Sequence, residues 1–218
     1  MQIGLLGGTG PEGKGLALRF AAAGAQVVIG SRLGERAGAA AGECNARLAR
    51  PLIRGATNEE MLAESEIVFL AVPFGQAVAA LVAYRDCFRS GTILVDVTVP
   101  MRFTDGLPAY AQPEAGSGAE LVARHVPPGV SVVAAFKEIP AHALAEVETP
   151  LDCDALVCGD SREARDAVMA AAGLIPSLRP LDAGPLKMAS VIERMTVLAV
   201  YLNRRYRRRG ARFRVQGI

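Results

Sequence analysis

The sequence predicts an α/β fold, namely a Rossmann-type doubly wound parallel sheet followed by a small α/β C-terminal portion. Three observations support this prediction. Short segments rich in Val, Ile and Leu alternate with longer Ala-rich segments of helical periodicity. The short segments are apolar at nearly every position, as expected for strands buried on both faces of a parallel sheet. A glycine-rich turn separates the first strand from the first helix.

Five apolar segments are predicted as strands of this sheet: Gln2 to Leu6, Gln26 to Ile29, Ile67 to Val72, Thr92 to Val97 and Val130 to Phe136. Three helices are predicted between them, over Gly13 to Ala23, Glu35 to Leu48 and Gln76 to Tyr84. Gly24 ends the first helix because glycine adopts the left-handed conformation common at helix C-termini.

The stretch from Arg102 to Gly118 contains several Pro and Gly residues and is predicted as a long loop. A helix is expected to begin near Ser117, which has capping-box spacing to Glu120. The pattern changes after Pro140, so we expect a boundary there, with a main domain over 1–140 and a smaller portion over 141–218. This portion is predicted to contain a strand, a helix, a short extended segment and a long final helix ending near Tyr206.

Composition limits the class of protein. The 218 residues are 51% hydrophobic and 21% charged, which is enough apolar material for a folded core and excludes a disordered chain. The four cysteines show no paired short spacing, which favours a reducing cytoplasm. No apolar segment approaches the roughly 20 residues that a membrane helix needs. No Cys or His cluster has metal-ligand spacing, so no metal site is predicted.

Gly8, Gly10 and Gly13 form a G-x-G-x-x-G pattern between the first strand and the first helix. That context is typical of dinucleotide-binding folds. Gly8 is expected to permit the tight turn, Gly10 to let the backbone approach a pyrophosphate, and Gly13 to let helix and sheet pack closely. The free amides and positive end of the helix favour phosphate binding.

The end of the second strand distinguishes NADP from NAD. NAD enzymes place an Asp or Glu there to bind the ribose hydroxyls, whereas this chain has Ser31 and Arg32, with Arg36 one helical turn further on. A hydroxyl and two guanidinium groups bind a 2′-phosphate through charge-assisted hydrogen bonds. The sequence therefore favours NADP.

The chain shows no nucleophile elbow and few candidates for acid–base catalysis. This inventory fits a hydride transfer, in which the protein holds two rings face to face and the coenzymes supply the chemistry. The expected activity is that of an NADPH-dependent oxidoreductase.

Several segments together resemble the 8-hydroxy-5-deazaflavin:NADPH oxidoreductases, which are NADPH-dependent coenzyme F-420 reductases. The resemblance covers essentially the whole chain. The segments are 7–10, 13–19, 30–32, 96–100, 178–186 and 202–206, of which the stretch from Arg179 to Leu186 is the most specific.

The resemblance implies reversible hydride transfer between C4 of NADPH and C5 of the deazaflavin, in a homodimer. It places Thr9, Gly10, Pro11 and Glu12 at the pyrophosphate. It assigns Ser31, Arg32 and Arg36 to the 2′-phosphate. Further cofactor contacts are implied for Phe74, Val78, Met101 and Ala141.

Archaeal members of this family tend to have His-Thr before an Ile-Pro pair near the deazaflavin, where this chain has Lys137-Glu138 before Ile139. Lys137 and Ile139 are therefore candidate contacts of the acceptor. Lys137 would neutralise the anionic ring, or else pair with Glu138 in a surface ion pair. Other interpretations are a related NADP-dependent reductase of an imine, flavin or metal chelate, and a non-catalytic NADP sensor on the same fold.

The net charge of +2 conceals an uneven distribution, because seven arginines follow Asn203 and the preceding part is acidic. Nucleic-acid binding is disfavoured, since aromatic residues are only 5% of the chain and no nucleic-acid-binding motif is present. Cations complement the dipole at the end of a long helix. A second hypothesis is that some of these arginines contact the phosphate or glutamate tail of the deazaflavin, directly or across a dimer. The apolar stripe of the final helix is either core or a dimer face.

Overall fold

The computed structural model describes all 218 residues. Ten strands are present: β1 (Gln2–Leu6), β2 (Gln26–Ser31), β3 (Ile53–Thr57), β4 (Ile67–Leu70), β5 (Ile93–Asp96), β6 (Met101–Thr104), β7 (Leu107–Tyr110), β8 (Ser131–Ala134), β9 (Cys153–Gly159) and β10 (Leu178–Asp182). Eight of them form one sheet in the order β10-β9-β8-β5-β4-β1-β2-β3. The doubly wound α/β fold predicted from the sequence is confirmed.

Eight α-helices connect and flank these strands: α1 (Pro11–Ala22), α2 (Gly34–Leu48), α3 (Asn58–Glu64), α4 (Phe74–Ala83), α5 (Gly118–Ala123), α6 (Ala141–Ala145), α7 (Arg162–Gly173) and α8 (Ala189–Arg205). The helix start predicted near Ser117 is confirmed, since the Ser117 hydroxyl accepts a hydrogen bond from the Glu120 N–H. The long final helix is also present.

Strand β3 and helix α3 were not predicted. The segment Ile53–Thr57 contains Arg54, Gly55 and Thr57, so it lacks the continuous apolar pattern of an inner strand. It lies at the edge of the sheet and pairs with β2 alone. Only some of its side chains are buried, so β3 lacks the continuous apolar pattern by which the inner strands were identified.

The expected loop after Arg102 contains the antiparallel hairpin β6–β7, paired from Met101 with Tyr110 to Thr104 with Leu107. The turn residues Asp105 and Gly106 both have positive φ. The hairpin packs on α8, where the Arg204 guanidinium lies 5.3 Å from the centre of the Phe103 ring. Pro108 obscured the strand pattern in the sequence, because proline is confined to edges and short ribbons.

The C-terminal portion extends the same sheet. Strand β9 pairs antiparallel with β8 over two residue pairs, and β10 pairs parallel with β9. After α8 the tail returns along β9, where the Asp154 N–H donates to the Phe213 carbonyl at 2.9 Å. Arg179 on β10 donates to both Asp154 carboxylate oxygens, at 2.8 and 2.9 Å. The boundary expected near residue 140 therefore lies within one continuous sheet.

Two layers of buried apolar side chains cover the two faces of the sheet, and both include residues from β9 or α7. Phe20, Phe69 and Phe136 form an edge-packed aromatic cluster at the centre of one layer. None of the helices combines the length and the apolar character required to cross a bilayer.

Candidate functional site

A cavity of about 460 Å³ lies at the carboxyl edge of the sheet. It is bounded by the first turn of α1 and by the segments that follow β4, β5 and β8. Helix α8 and Ala211 of the tail close its far side. Ligands of open α/β sheets bind in this place, where the strand order reverses. Here the reversal falls between β1 and β4.

The glycine turn at one end of the cavity has the geometry of a phosphate-binding loop. Gly7, with φ of +71°, makes the left-handed turn that was expected of Gly8. A Cβ on Gly13 would lie 2.5 Å from the Gly8 backbone, so this pair sets the close packing of helix and strand. A Cβ on Gly10 would meet no atom within 4 Å, which leaves open space beside the backbone.

Gly10 is the N-cap of α1, and it offers no side chain to the first-turn N–H groups. Those donors stay available to an anion at the positive end of the helix. Glu12 lies in this same turn and lines the cavity. Its Oε1 atom is buried without a hydrogen-bond partner, and burial raises the pKa of Glu12 to about 8.

Beside this turn, β2 ends at Ser31 and α2 begins at Gly34. Ser31 is buried, and its hydroxyl accepts a long 3.4 Å hydrogen bond from the Leu33 N–H. Arg32 and Arg36 are exposed, and neither forms an ion pair with an acidic residue. Two free guanidinium groups beside a hydroxyl suit a phosphomonoester.

Helix α6 is held against α1 by the buried Arg19. Its guanidinium donates to five carbonyl oxygens at the end of α6 and just beyond, at 2.6 to 3.2 Å: those of Ala143, Leu144, Glu146, Val147 and Thr149. A cation at the C-terminus of a helix complements its dipole. This clamp fixes Pro140 and Ala141 where they line the cavity.

The other end of the cavity contains a buried ion-pair network centred on Lys137. Its ammonium contacts Asp96 Oδ2 at 2.6 Å and Glu193 Oε1 at 3.2 Å, and it also donates to the Thr98 carbonyl. The side chains of Lys137, Asp96 and Glu193 are fully buried. Burial alone would lower the pKa of Lys137, but the two carboxylates outweigh it and raise the pKa.

The surface ion pair considered for Lys137 and Glu138 is wrong, because the Lys137 ammonium is buried and its three protons are used by Asp96, Thr98 and Glu193. Since two carboxylates flank one ammonium, the network offers no net positive charge to a bound ring. Its role is to join the end of β5, the segment after β8, and α8.

Glu193 also fixes the hairpin and α5. Its Oε2 accepts hydrogen bonds from the Tyr110 hydroxyl at 2.6 Å and from the Gly118 N–H at 3.0 Å. Its Oε1 accepts one from the Ala119 N–H at 3.1 Å. Burial and the bond to Glu193 raise the pKa of Tyr110. The additional negative charge of the network is thus balanced by backbone donors.

Glu138 is buried and lies next to this network. Its Oε1 accepts a 2.7 Å hydrogen bond from the Leu156 N–H of β9, whereas Oε2 is buried without a partner. Burial raises the pKa of Glu138 to about 7. The carbonyl of the preceding residue, Lys137, accepts a 3.0 Å hydrogen bond from the Thr196 hydroxyl of α8.

The cavity brings together most residues singled out in the sequence: Gly10, Pro11, Glu12, Phe74, Met101, Lys137, Ile139 and Ala141 all line it. Gly8, Thr9 and Gly13 belong to the adjacent turn, and Ser31, Arg32 and Arg36 lie beyond its phosphate end. Val78 is half-buried on α4 and does not line the cavity. Four α8 residues that line it were not predicted: Thr196, Ala199, Val200 and Asn203.

The chain is similar to known proteins in both sequence and structure. Residues 2–100 match the family described as NADP oxidoreductase, coenzyme F420-dependent. The F420-dependent NADP reductase of Methanothermobacter thermautotrophicus is 40% identical, in an alignment that covers 100% of this chain and 96% of the relative. The enzyme of the same name from Methanocaldococcus jannaschii is 33% identical, with 100% and 99% covered.

Solved structures agree on the fold. A protein of Arthrobacter sp. FB24, proposed to be an F420-dependent NADP reductase, superposes with a TM-score of 0.82 at 23% identity, and all of both chains is covered. An imine reductase from Bacillus cereus BAG3X2 has a TM-score of 0.59 at 16% identity, over 94% of this chain and 63% of that one. At these identities the likeness concerns the fold alone.

Proposed function

The chain belongs to the family of F420-dependent NADP reductases, and on that premise we propose that it transfers a hydride reversibly between NADPH and the 8-hydroxy-5-deazaflavin coenzyme F420. The observation that best supports this is the single cavity that runs from the glycine turn to α8. Its two ends differ in chemistry, as two different coenzymes require. One end offers phosphate-binding groups, and the other offers a fixed, buried set of side chains.

At the phosphate end, the first-turn N–H groups of α1 would hold the pyrophosphate, with Thr9 beside them in the same turn. Ser31, Arg32 and Arg36 would hold the 2′-phosphate, and the absence of a carboxylate at the end of β2 fits NADP better than NAD. The open space beside Gly10 admits a ligand to the backbone. The residues present therefore fit NADP(H).

The nicotinamide would extend along the ends of β4 and β5, past Phe74 and Met101, towards Ile139 and Ala141. The deazaflavin would then face it from the α8 side. A direct transfer from C4 to C5 needs the two carbons in contact and water excluded, so the protein acts mainly by positioning. The apolar walls at Val72, Val97 and Val200 serve that exclusion.

A homodimer is proposed on the resemblance and on an apolar face of α8. Met188, which immediately precedes α8, is 36% exposed, and Val191 and Leu198 on the helix are 50% and 48% exposed. An exposed apolar stripe of this kind is typical of an association surface. Sedimentation equilibrium of the wild type and of V191E/L198E would test it, with a monomeric double variant as the expected result.

The state of the cysteines supports a second proposal, which concerns the cellular setting. All four thiols are free, as is usual in a reducing compartment, so we propose that the protein is cytoplasmic.

The function is tested by mixing the protein with NADPH and oxidised F420 and following the visible absorbance of the deazaflavin. We expect its loss, with one NADPH oxidised per F420 reduced. Turnover of an imine, a flavin or a metal chelate, with none of F420, would show that the protein reduces a different acceptor. Tight NADPH binding without any turnover would instead indicate a sensor.

A further inference from the structure

The proposed reaction consumes a proton as well as a hydride. The hydride leaves C4 of NADPH with two electrons and forms a C–H bond at C5 of the deazaflavin, and the negative charge that it brings is removed when N1 of the ring is protonated. The balance is NADPH + F420 + H⁺ in exchange for NADP⁺ + F420H₂. A group that delivers this proton at the acceptor ring would assist the transfer.

The cavity offers only three ionisable side chains, those of Glu12, Lys137 and Glu138. Glu12 lies at the phosphate end, in the first turn of α1. Lys137 uses all three of its protons within the protein. Glu138 remains. It directly follows Lys137, which contacts Asp96 at the end of β5, and the nicotinamide would lie at that end of the strand.

We propose that Glu138 is the proton donor of the reaction: Oε2 carries a proton in the resting protein and delivers it to N1 of the deazaflavin as the hydride reaches C5. In the reverse direction the Glu138 carboxylate takes the proton back. Between turnovers solvent restores the proton that is consumed. This assignment rests on the proposed function and adds a residue to it.

The geometry separates the two carboxyl oxygens of Glu138. Oε1 is bound by the Leu156 N–H, which lies beyond the two residue pairs that join β8 and β9. Oε2 has no partner in the protein, although it is buried. A buried polar atom without a partner is rare and suggests a ligand or a catalytic role. The Thr196 bond to the Lys137 carbonyl holds the preceding peptide in place.

The surroundings of Glu138 favour its neutral form. The charged and titratable groups of the neighbouring elements are Lys137 in its own segment, Cys153, Asp154 and Cys158 on β9, Arg179 on β10, Glu193 on α8 and Arg212 in the tail. Lys137 favours the charged form of Glu138, but its ammonium is committed to Asp96 and Glu193, and Arg179 is committed to Asp154, so no cation pairs directly with the Glu138 carboxylate and burial decides the direction of the pKa shift. An acid with a pKa of about 7 is matched to a neutral medium.

The test compares the wild type with Glu138→Gln, which keeps the acceptor for Leu156 but has no acidic proton. We expect kcat for F420 reduction at pH 6.5 to fall by about 100-fold or more, within the usual range for loss of a general acid. Glu148→Gln, the same change at an exposed position, is the matched control and should behave as the wild type. NADPH binding, followed by fluorescence, checks that the variant is folded.

The pH profile separates proton donation from a structural role. Wild-type F420 reduction should decline above about pH 7 and F420H₂ oxidation should rise, whereas Glu138→Gln should lose both limbs. Infrared spectra of the ligand-free wild type at pH 6 should show a protonated carboxyl band that the variant lacks. Unchanged kcat and pH profile in Glu138→Gln, or an ionised Glu138 at pH 6, would overturn the assignment. If the variant does not fold, a pH-independent wild-type rate would do the same. An inactive wild type would instead refute the proposed function and this assignment with it.

Discussion

The two ends of the cavity handle charge in opposite ways. The phosphate end is built from consecutive residues of one turn, together with Arg32 and Arg36, which are exposed and unpaired. The ring end is built from Asp96, Lys137 and Glu193, which are far apart in the chain and fully buried. One end therefore keeps its charges free for a ligand, and the other uses them up within the protein.

This difference has an energetic consequence. Exposed guanidinium groups cost little to maintain, because water and salt screen them. A buried ammonium between two carboxylates is tolerated only while each partner is present, since removal of one leaves an uncompensated charge in the interior. Substitutions at the phosphate end should thus change ligand binding, whereas substitutions at the ring end should first change folding.

The largest expected effect is on stability, from Lys137→Met. This change leaves the Asp96 and Glu193 carboxylates buried and unpaired, so the free energy of unfolding should fall by about 3–5 kcal/mol. Urea denaturation followed by circular dichroism measures it. Lys14→Met is the matched control, because the Lys14 pair with Glu43 is partly exposed and should contribute at most about 1 kcal/mol. Similar losses in the two variants would show that the ring end is not special.

The same contrast explains how much the sequence could predict. The glycine turn and Ser31-Arg32 were identified because a contiguous pattern beside a strand has a direct physical meaning. The strands β1, β2, β4, β5 and β8 were identified because their segments are apolar at nearly every position. The partners of Lys137 could not be predicted, since Asp96 precedes it by 41 residues and Glu193 follows it by more than fifty, on a different element. The hairpin β6–β7 was missed because its residues are half-exposed and include Pro108.

The second expected effect concerns coenzyme choice at the phosphate end. Arg32→Ala removes a charge-assisted contact to the 2′-phosphate, so the NADPH KM should rise by roughly 10- to 100-fold, equivalent to about 1.4–2.8 kcal/mol. The NADH KM should change little, because NADH has no phosphate at this position. Steady-state kinetics with each coenzyme measures the two values. An equal increase in the NADPH KM and the NADH KM would show that Arg32 does not bind the 2′-phosphate.

A smaller effect is expected from Glu12, which is the only acidic group at the phosphate end of the cavity. Because its pKa is raised to about 8 in the folded protein, Glu12 is mostly neutral at pH 7 and becomes a carboxylate as the pH rises. A negative charge beside the pyrophosphate opposes binding, so the NADPH Kd should increase by roughly fivefold between pH 8 and pH 9.

Glu12→Gln tests this point, since the amide has a similar shape and does not ionise. The variant should bind NADPH with an affinity that is nearly constant over this pH range. The sign for stability is also fixed: an acid whose pKa is raised on folding makes the native state progressively less stable as the pH rises from its unfolded value towards 8. The variant should therefore exceed the wild type in stability at pH 8 and not at pH 4. A wild-type pH dependence that persists in Glu12→Gln would assign the effect to another group.

The smallest expected effect is at the C-terminal arginines. Like Arg32 and Arg36 at the phosphate end, they are free positive charges, but they lie near the other end of the cavity. Arg205, Arg207, Arg208 and Arg209 are exposed and unpaired, and they lie between Asn203 and Ala211, both of which line the cavity. The anionic tail of the deazaflavin is a suitable ligand for them. Changing Arg207, Arg208 and Arg209 together to Gln should raise the F420 KM by roughly three- to tenfold at low salt. Screening should abolish the difference at high salt. An unchanged F420 KM at low salt would show that these arginines do not bind the deazaflavin and only complement the dipole of α8. Free positive charge would then serve ligand binding at the phosphate end alone.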